Sequence, residues 1–310
     1  MTVADVSQWF DSPAVMSWCK SFSLVFVGLF IQALPFLLLG SVTGVLVSVF
    51  VPLERLTRYF GKSPLIASAL SATAGFIVPS CECVAVPVVR RLVLAGCPSG
   101  AAVAYLLSSP GLNPICLIST YSAFYVNHPW EMVILRAAGA WVLAVVAGWA
   151  IHFFAKNSLW KDDLVTVISP RVQQRQIPGV GRVFAAVIED FTRVGGLYMA
   201  GCACAALIQT LPTGWQVLPS TGLSGIFSLM VMAFVMSLCS TVDAFVANSF
   251  GGFSLAAKLA FLWLGPVLDL KLLVVYYFAF RARTILLLVF VLGAGVFLLS
   301  WILLLSGYGN

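Results

Sequence analysis

The stretch "VPSCECVAVPVVRRLVLAGCP" (residues 78–98) lies inside a long apolar run and breaks it with Pro79, Cys81, Glu82, Cys83, Pro87 and an Arg90–Arg91 pair. Around it the chain reads as membrane. Of 310 residues, 61% are hydrophobic and 9% charged, and the mean hydropathy is +1.03, whereas soluble domains are roughly one quarter charged. Apolar runs of about 20 residues, enough to cross ~30 Å of hydrocarbon, recur from Ser21 onward. Composition therefore gives an all-α polytopic membrane protein with no soluble domain of useful size. Whatever it does is built inside the bundle.

The net charge of +6 does not signal nucleic acid, because most Lys and Arg sit in short loops between apolar runs, a topological pattern. The N-terminal segment 1–20 carries Asp5 and Asp11 and lacks a basic region or a small-residue cleavage site, so no cleaved signal is expected. The cysteines at 19, 81, 83, 97, 116, 202, 204 and 239 fall mostly in apolar segments. There they act as small hydrophobes, not as a disulfide framework.

Two apolar stretches are interrupted at their middles, 65–95 by "PSCEC" and 223–250 by "SLCST". Their arms are about 10 to 16 residues, or roughly 15 to 24 Å of helix, too short to span comfortably. Arg55, Arg58 and Lys62 precede the first and Arg90 and Arg91 end it, so both its ends face the cytoplasm by the positive-inside rule. The second is flanked by "TGWQVLPST" (213–221) and "NSFGGFS" (248–254), without Lys or Arg, and reads as external at both ends. The expected architecture is about six spanning helices plus two re-entrant or broken helical hairpins, or eight spanning segments if the hairpins are kinked spans. Lys20, Arg136, Lys258 and Lys271 stand outside this charge pattern.

The halves also match. Gly96, Pro110 and Asn113 are spaced like Gly252, Pro266 and Asp269; Cys81 pairs with Cys239 two residues out of that register, and Pro52 with Pro212. The chain divides into an N-terminal segment 1–20, a transmembrane repeat 21–155, a cytoplasmic linker 156–182 and a second repeat 183–310. With hairpins entering from opposite sides the repeats are inverted, each with a discontinuous crossing helix. That is a transporter design, in which irregular backbone survives only where it lines a cavity. A duplicated bundle without transport is the plain alternative.

Pro79 leaves Ser80, Cys81, Glu82 and Cys83 in irregular backbone; the second tip offers Ser237, Cys239, Ser240, Thr241 and Asp243. Helix starts at both tips favour anions and thiolates, and a two-fold arrangement puts Cys81 and Cys239 about one axis. Cys83 joins them only if the backbone is non-helical, because residues i and i+2 of a helix point apart. Cys202 and Cys204, in "GLYMAGCACAALIQ", suit close helix packing. Intramembrane acids are functional by default: Glu82, Asp243 and Asp269 are candidates to carry a proton or coordinate a coupling ion, with pairing to Lys271 or Lys258 the structural alternative for Asp269. In "SSPGLNP", Pro110 and Pro114 break the crossing helix beside Asn113, which either binds substrate or caps the break. No metal site, catalytic triad or phosphate-cradling glycine loop is present in the sequence, and no cofactor is expected. This points away from an enzyme and from ATP-driven transport by this chain alone.

Residues 78–120 and 238–250 ("LCSTVDAFVANSF") resemble the ArsP-type family of predicted bacterial permeases, and the likeness runs in order from about residue 20 to 300. The motif residues here are Cys81, Cys83, Asn113, Cys239, Asp243 and Phe245. Val84 replaces the glycine usual after the second cysteine, a departure that stiffens the tip and bears on substrate size. The resemblance implies efflux of trivalent organoarsenicals, which bind thiolates and suit soft ligands. The expectation is a multi-pass inner-membrane permease, surrounded by lipid and with a homo-oligomer left open. It moves a small thiophilic solute by secondary transport through Cys81, Cys83, Cys239, Ser80, Ser240 and Asn113, with Glu82, Asp243 and Asp269 in coupling. A transporter of a small sulfur-containing anion such as thiosulfate or sulfite, and a membrane thiol oxidoreductase using Cys81 and Cys83, are the rival readings.

Overall fold

The structure is a computed structural model that describes residues 13–50, 63–77, 82, 85, 88, 89, 92, 93, 97–126, 128–154, 180–210 and 221–307. Ser80, Cys81, Cys83 and Val84, the Arg90–Arg91 pair, Pro52, Pro212 and nearly all of the linker lie outside the described residues. Among the described residues every regular element is a helix: α1 Pro13–Phe50, α2 Pro64–Ile77, α3 Ser99–Leu112, α4 Pro114–Ala123, α5 Pro129–Phe154, α6 Val180–Gln209, α7 Gly222–Met236, α8 Asp243–Ser249, α9 Leu255–Leu264, α10 Leu270–Ala279 and α11 Ala282–Leu305. Between α2 and α3, Glu82, Ala85, Val89 and Leu92 are helical and buried, so Glu82 stands in helix and not in the irregular backbone expected of it after Pro79.

Three segments among these are long and apolar enough to cross a membrane: Ser99–Ala123, which is α3 and α4 together, α5 and α11. The first is 78% buried inside the protein and the last only 22%. The broken span therefore runs through the centre, while α11 turns its apolar face outward, where lipid can cover it.

Both crossing helices restart at an Asx cap, but the breaks differ in length: α3 carries Pro110 inside it, contrary to its expected role as a breaker, and stops only for Asn113, whereas residues 265–269, with Pro266 among them, separate α9 from α10. Asn113, extended (ψ 125°) because Pro114 follows it, accepts a hydrogen bond from Ile115 N at 3.0 Å and caps α4. Asp269, extended at φ −138°, accepts from Leu272 N at 2.7 Å and caps α10. Each residue stands three places after a proline, Pro110 and Pro266, and a side-chain oxygen is what the free N–H groups of a new helix require. Sequence-matched residues thus do the same job in the two halves.

Helix α3 packs between α2 and α5, α9 between α7 and α11, and α1 lies along α6. Where α3 crosses α5, Gly100 and Gly148 bring their backbones together, and a Cβ on Gly148 would stand 2.6 Å from Gly100 O. Small residues at such a crossing are the usual route to tight packing in lipid. The second hairpin departs from the expected arm lengths. Its inbound arm α7 has 15 residues, but its outbound arm α8 has 7, since the turn takes residues 237–242 and Gly251–Gly252 come soon after.

Candidate functional site

The turn between α7 and α8 is irregular backbone within the bundle, and its conformation begins at Ser237. This buried residue ends α7 in the left-handed region (φ 50°, ψ 44°). The αL geometry stops the helix and turns its last carbonyls away from the axis, toward donors on other helices. Val235 O and Met236 O accept from Gln209 Nε2, both at 3.0 Å; Ser237 O and Leu238 O accept from Lys271 Nζ at 2.9 and 3.2 Å. Cys239 O accepts from Val242 N and Asp243 N, and Val242 O from Phe245 N and Val246 N. Ser240 O accepts from Arg136 Nη2 at 3.1 Å and Thr241 O from Ser119 Oγ.

Every carbonyl from Val235 to Val242 is therefore taken by the protein itself. A buried amide without a partner costs about 1–3 kcal/mol, and this complete set of donors is why a non-helical turn persists inside an apolar bundle. Polar side chains from several elements surround the turn.

Those side chains form one polar chain through the core. Arg136 Nη2 pairs with Asp243 Oδ2 at 2.6 Å, and Nη1 donates to Thr120 Oγ1 at 2.8 Å. Ser240 Oγ donates to Glu82 Oε2 at 3.4 Å. Lys271 Nζ lies 3.4 Å from Glu82 Oε1 and 3.4 Å from Asp269 Oδ2. Arg136 and Asp269 are 0% exposed, Lys271 and Asp243 1%, Glu82 3%. Buried charges persist only when paired and hydrogen-bonded. Here three carboxylates share two cations, drawn from α5, α8, α10, the turn into α10 and the segment after α2.

Among the described residues, Asp243 Oδ1 and Arg136 Nε have no hydrogen-bond partner. Asp269 Oδ2 is likewise without a hydrogen bond, and meets Lys271 as an ion pair. Cys239, buried at the tip, accepts from Thr241 Oγ1 at 3.5 Å. Cys116 is fully buried one turn before Thr120 on α4, and Thr120 Oγ1 donates to its carbonyl at 2.8 Å.

The residues expected from the sequence thus fall into three groups. Glu82, Ser240, Asp243 and Asp269 come together in the cluster, with Cys239 beside Ser240. Asn113 is placed as the cap of α4, its Oδ1 engaged by Ile115 N, while Phe245 projects outward from α8, 52% exposed. Ser80, Cys81 and Cys83 lie outside the described residues. Arg136 and Lys271, outliers in the charge pattern of the loops, are central to the cluster, and Lys271 is the partner of Asp269. Cysteines 202 and 204 share α6, the first buried and the second exposed.

Residues 18–305 match the family described as "Predicted permease", of the ArsP type. The chain belongs to this family. Of its relatives, the UPF0718 protein YcgR of Bacillus subtilis is 35% identical over 274 residues, which cover 86% of this chain and 90% of the relative. A Streptococcus mutans protein, whose name gives it as a subunit of a two-component membrane permease complex, is 32% identical over 268 residues, 84% of this chain and 88% of the relative. No solved structure matches. The protein is a multi-pass membrane permease of this family, and the buried cluster is where its described residues concentrate polar chemistry.

Proposed function

We propose that this permease resides in the bacterial inner membrane and moves a small thiophilic solute, of the trivalent organoarsenical kind, outward through a site formed where the two hairpin tips meet. The carrying observation is the Glu82–Ser240 hydrogen bond. The register that pairs Cys81 with Cys239 pairs Glu82 with Ser240, and these two counterparts touch at 3.4 Å. A residue contacts its own repeat mate only close to the axis relating the halves. That supports an inverted-repeat bundle in which Cys81 and Cys239, one residue earlier in each half, face a common solute as soft ligands.

Asp243 and Glu82 carry the coupling proton in this reading. Asp243 Oδ1 is available to take it, and protonation would weaken the pair with Arg136 and free the tip. For a sulfur-containing anion the tip is poorly disposed, because Asp243 occupies the first turn of α8, the end of a helix where an anion would otherwise be drawn. A second membrane subunit is the proposed partner, on the name of the Streptococcus mutans relative.

The test is transport into everted membrane vesicles, using trivalent methylarsenical as the probe. Wild-type vesicles should accumulate it, and Cys239→Ser and Cys81→Ser should each lower the rate at least tenfold with the protein still present. Unchanged rates in both variants would remove the thiols from the mechanism. Inhibition by thiosulfate or sulfite, with indifference to the arsenical, would transfer the site to a sulfur anion.

A further inference from the structure

The C-terminal end of α7 and the unwound residues after it present backbone oxygens to the interior, as do the broken helices that hold coupling cations in secondary transporters. Here that position is occupied by a side chain. Lys271 Nζ is surrounded by Ser237 O at 2.9 Å, Leu238 O at 3.2 Å, Glu82 Oε1 at 3.4 Å and Asp269 Oδ2 at 3.4 Å, with the face of the Tyr198 ring 5.8 Å away. Asp269 Oδ2 makes no hydrogen bond and faces the ammonium by charge alone.

These oxygens come from three separate parts of the chain and converge at one buried point. Two carboxylates, two carbonyls and the negative end of the α7 dipole make a cage that holds net negative charge even with the ammonium inside. Without a cation its two carboxylates would have to take up protons or stand uncompensated away from water. Hard oxygen donors, charged and neutral together, suit a hard cation, and the charge that the cage accommodates here is the single charge of the ammonium. Its stem is fixed from behind, because α6 passes so close that a Cβ on Gly201 would lie 2.8 Å from Lys271 O.

We propose that the Lys271 ammonium is a tethered cation filling a monovalent-cation site, so that this permease supplies internally the charge that sodium supplies in other broken-helix transporters, and works without sodium. The proposal rests on the permease reading for its meaning in transport. The cage itself is testable on the purified full chain without any substrate.

In detergent, thermal unfolding of the wild type should be the same in sodium chloride, lithium chloride and choline chloride at equal ionic strength. Lys271→Ala, and the less drastic Lys271→Ser, should melt lower in choline. Each should be raised by about 3 °C or more, saturably, by sodium or lithium, as expected for a ligand that binds only the folded state. Radioactive sodium should bind these variants and not the wild type. Lys271→Arg, which keeps the tethered charge, should stay indifferent, and adding Glu82→Gln to Lys271→Ala should abolish the sodium response. A saturable sodium response in the wild type would overturn the proposal, a test that stands even if no variant folds. Folded Lys271→Ala and Lys271→Ser that ignore both cations would overturn it too. Loss of arsenical transport with the sodium results intact would instead count against the permease's proposed substrate.

Discussion

Arg136 reaches from α5 to the second tip, where it holds Asp243 and the Ser240 carbonyl, and donates as well to Thr120 on α4. An ion pair so placed is costly to break and nearly neutral to replace, since removing one partner strands a buried charge. Arg136→Ala and Asp243→Ala should each lower stability by about 3–5 kcal/mol, while Arg136→Met combined with Asp243→Leu should recover most of that loss. The contrast is Glu131, whose pair with His128 leaves the two side chains 46% and 66% exposed. Glu131→Gln should shift stability by no more than about 0.5 kcal/mol. Thermal unfolding of the purified variants in detergent measures all four. At this scale the acids were legible in the sequence, because a carboxylate inside a membrane is expensive wherever it stands. An intramembrane cation is expensive too, and on that ground Arg136 and Lys271, the other half of the cluster, were open to the same reading. Their role as donors to the carbonyls of a distant turn was not legible, for it depends on which helices the fold brings together.

The breaks in the two crossing helices are written in local chemistry. Pro110 with Asn113, and Pro266 with Asp269, mark the two crossing helices from sequence alone, and each Asx side chain caps the helix that starts after it. Asn113→Ala should cost about 1 kcal/mol, the usual worth of an N-cap. Asp269→Ala should cost clearly more, since it also removes a carboxylate 3.4 Å from Lys271, and Asp269→Asn should fall between. The close crossings make a sharper demand. Gly201 faces the α10 backbone at Lys271, so Gly201→Leu should drive α6 off α10 and lower stability by about 1–3 kcal/mol or more, with a matching drop in folded yield on size-exclusion chromatography. The turn at 237–242 was recognisable as a break but not in its length. The left-handed Ser237 and the short α8 arise from tertiary contacts, namely Gln209, Lys271 and Arg136 drawing the carbonyls outward, and no local signal encodes them.

At the scale of the whole molecule, what the described residues of the two halves share is a crossing helix that restarts at an Asx cap; a hairpin tip before each is part of the proposed reading. The composition and the spacing of apolar runs made the helical membrane class legible. They left the orientation of the halves to a handful of loop charges, and an inverted orientation is what the proposed transport site between two opposed tips requires. Sidedness can be read with membrane-impermeant maleimide in cells and in everted vesicles, after exposed Cys19 and Cys204 are changed to serine. The reporters are cysteines introduced by Ser99→Cys, just after the first hairpin, and by Ser249→Cys, at the last residue of α8, where the outbound arm of the second hairpin ends. Ser249 is exposed, whereas Ser254 caps α9 and is better left in place. Inverted halves predict labelling at 99 only from the cytoplasmic side and at 249 only from the outside. Labelling of both from one side would contradict the inverted arrangement and with it a shared site between opposed hairpin tips.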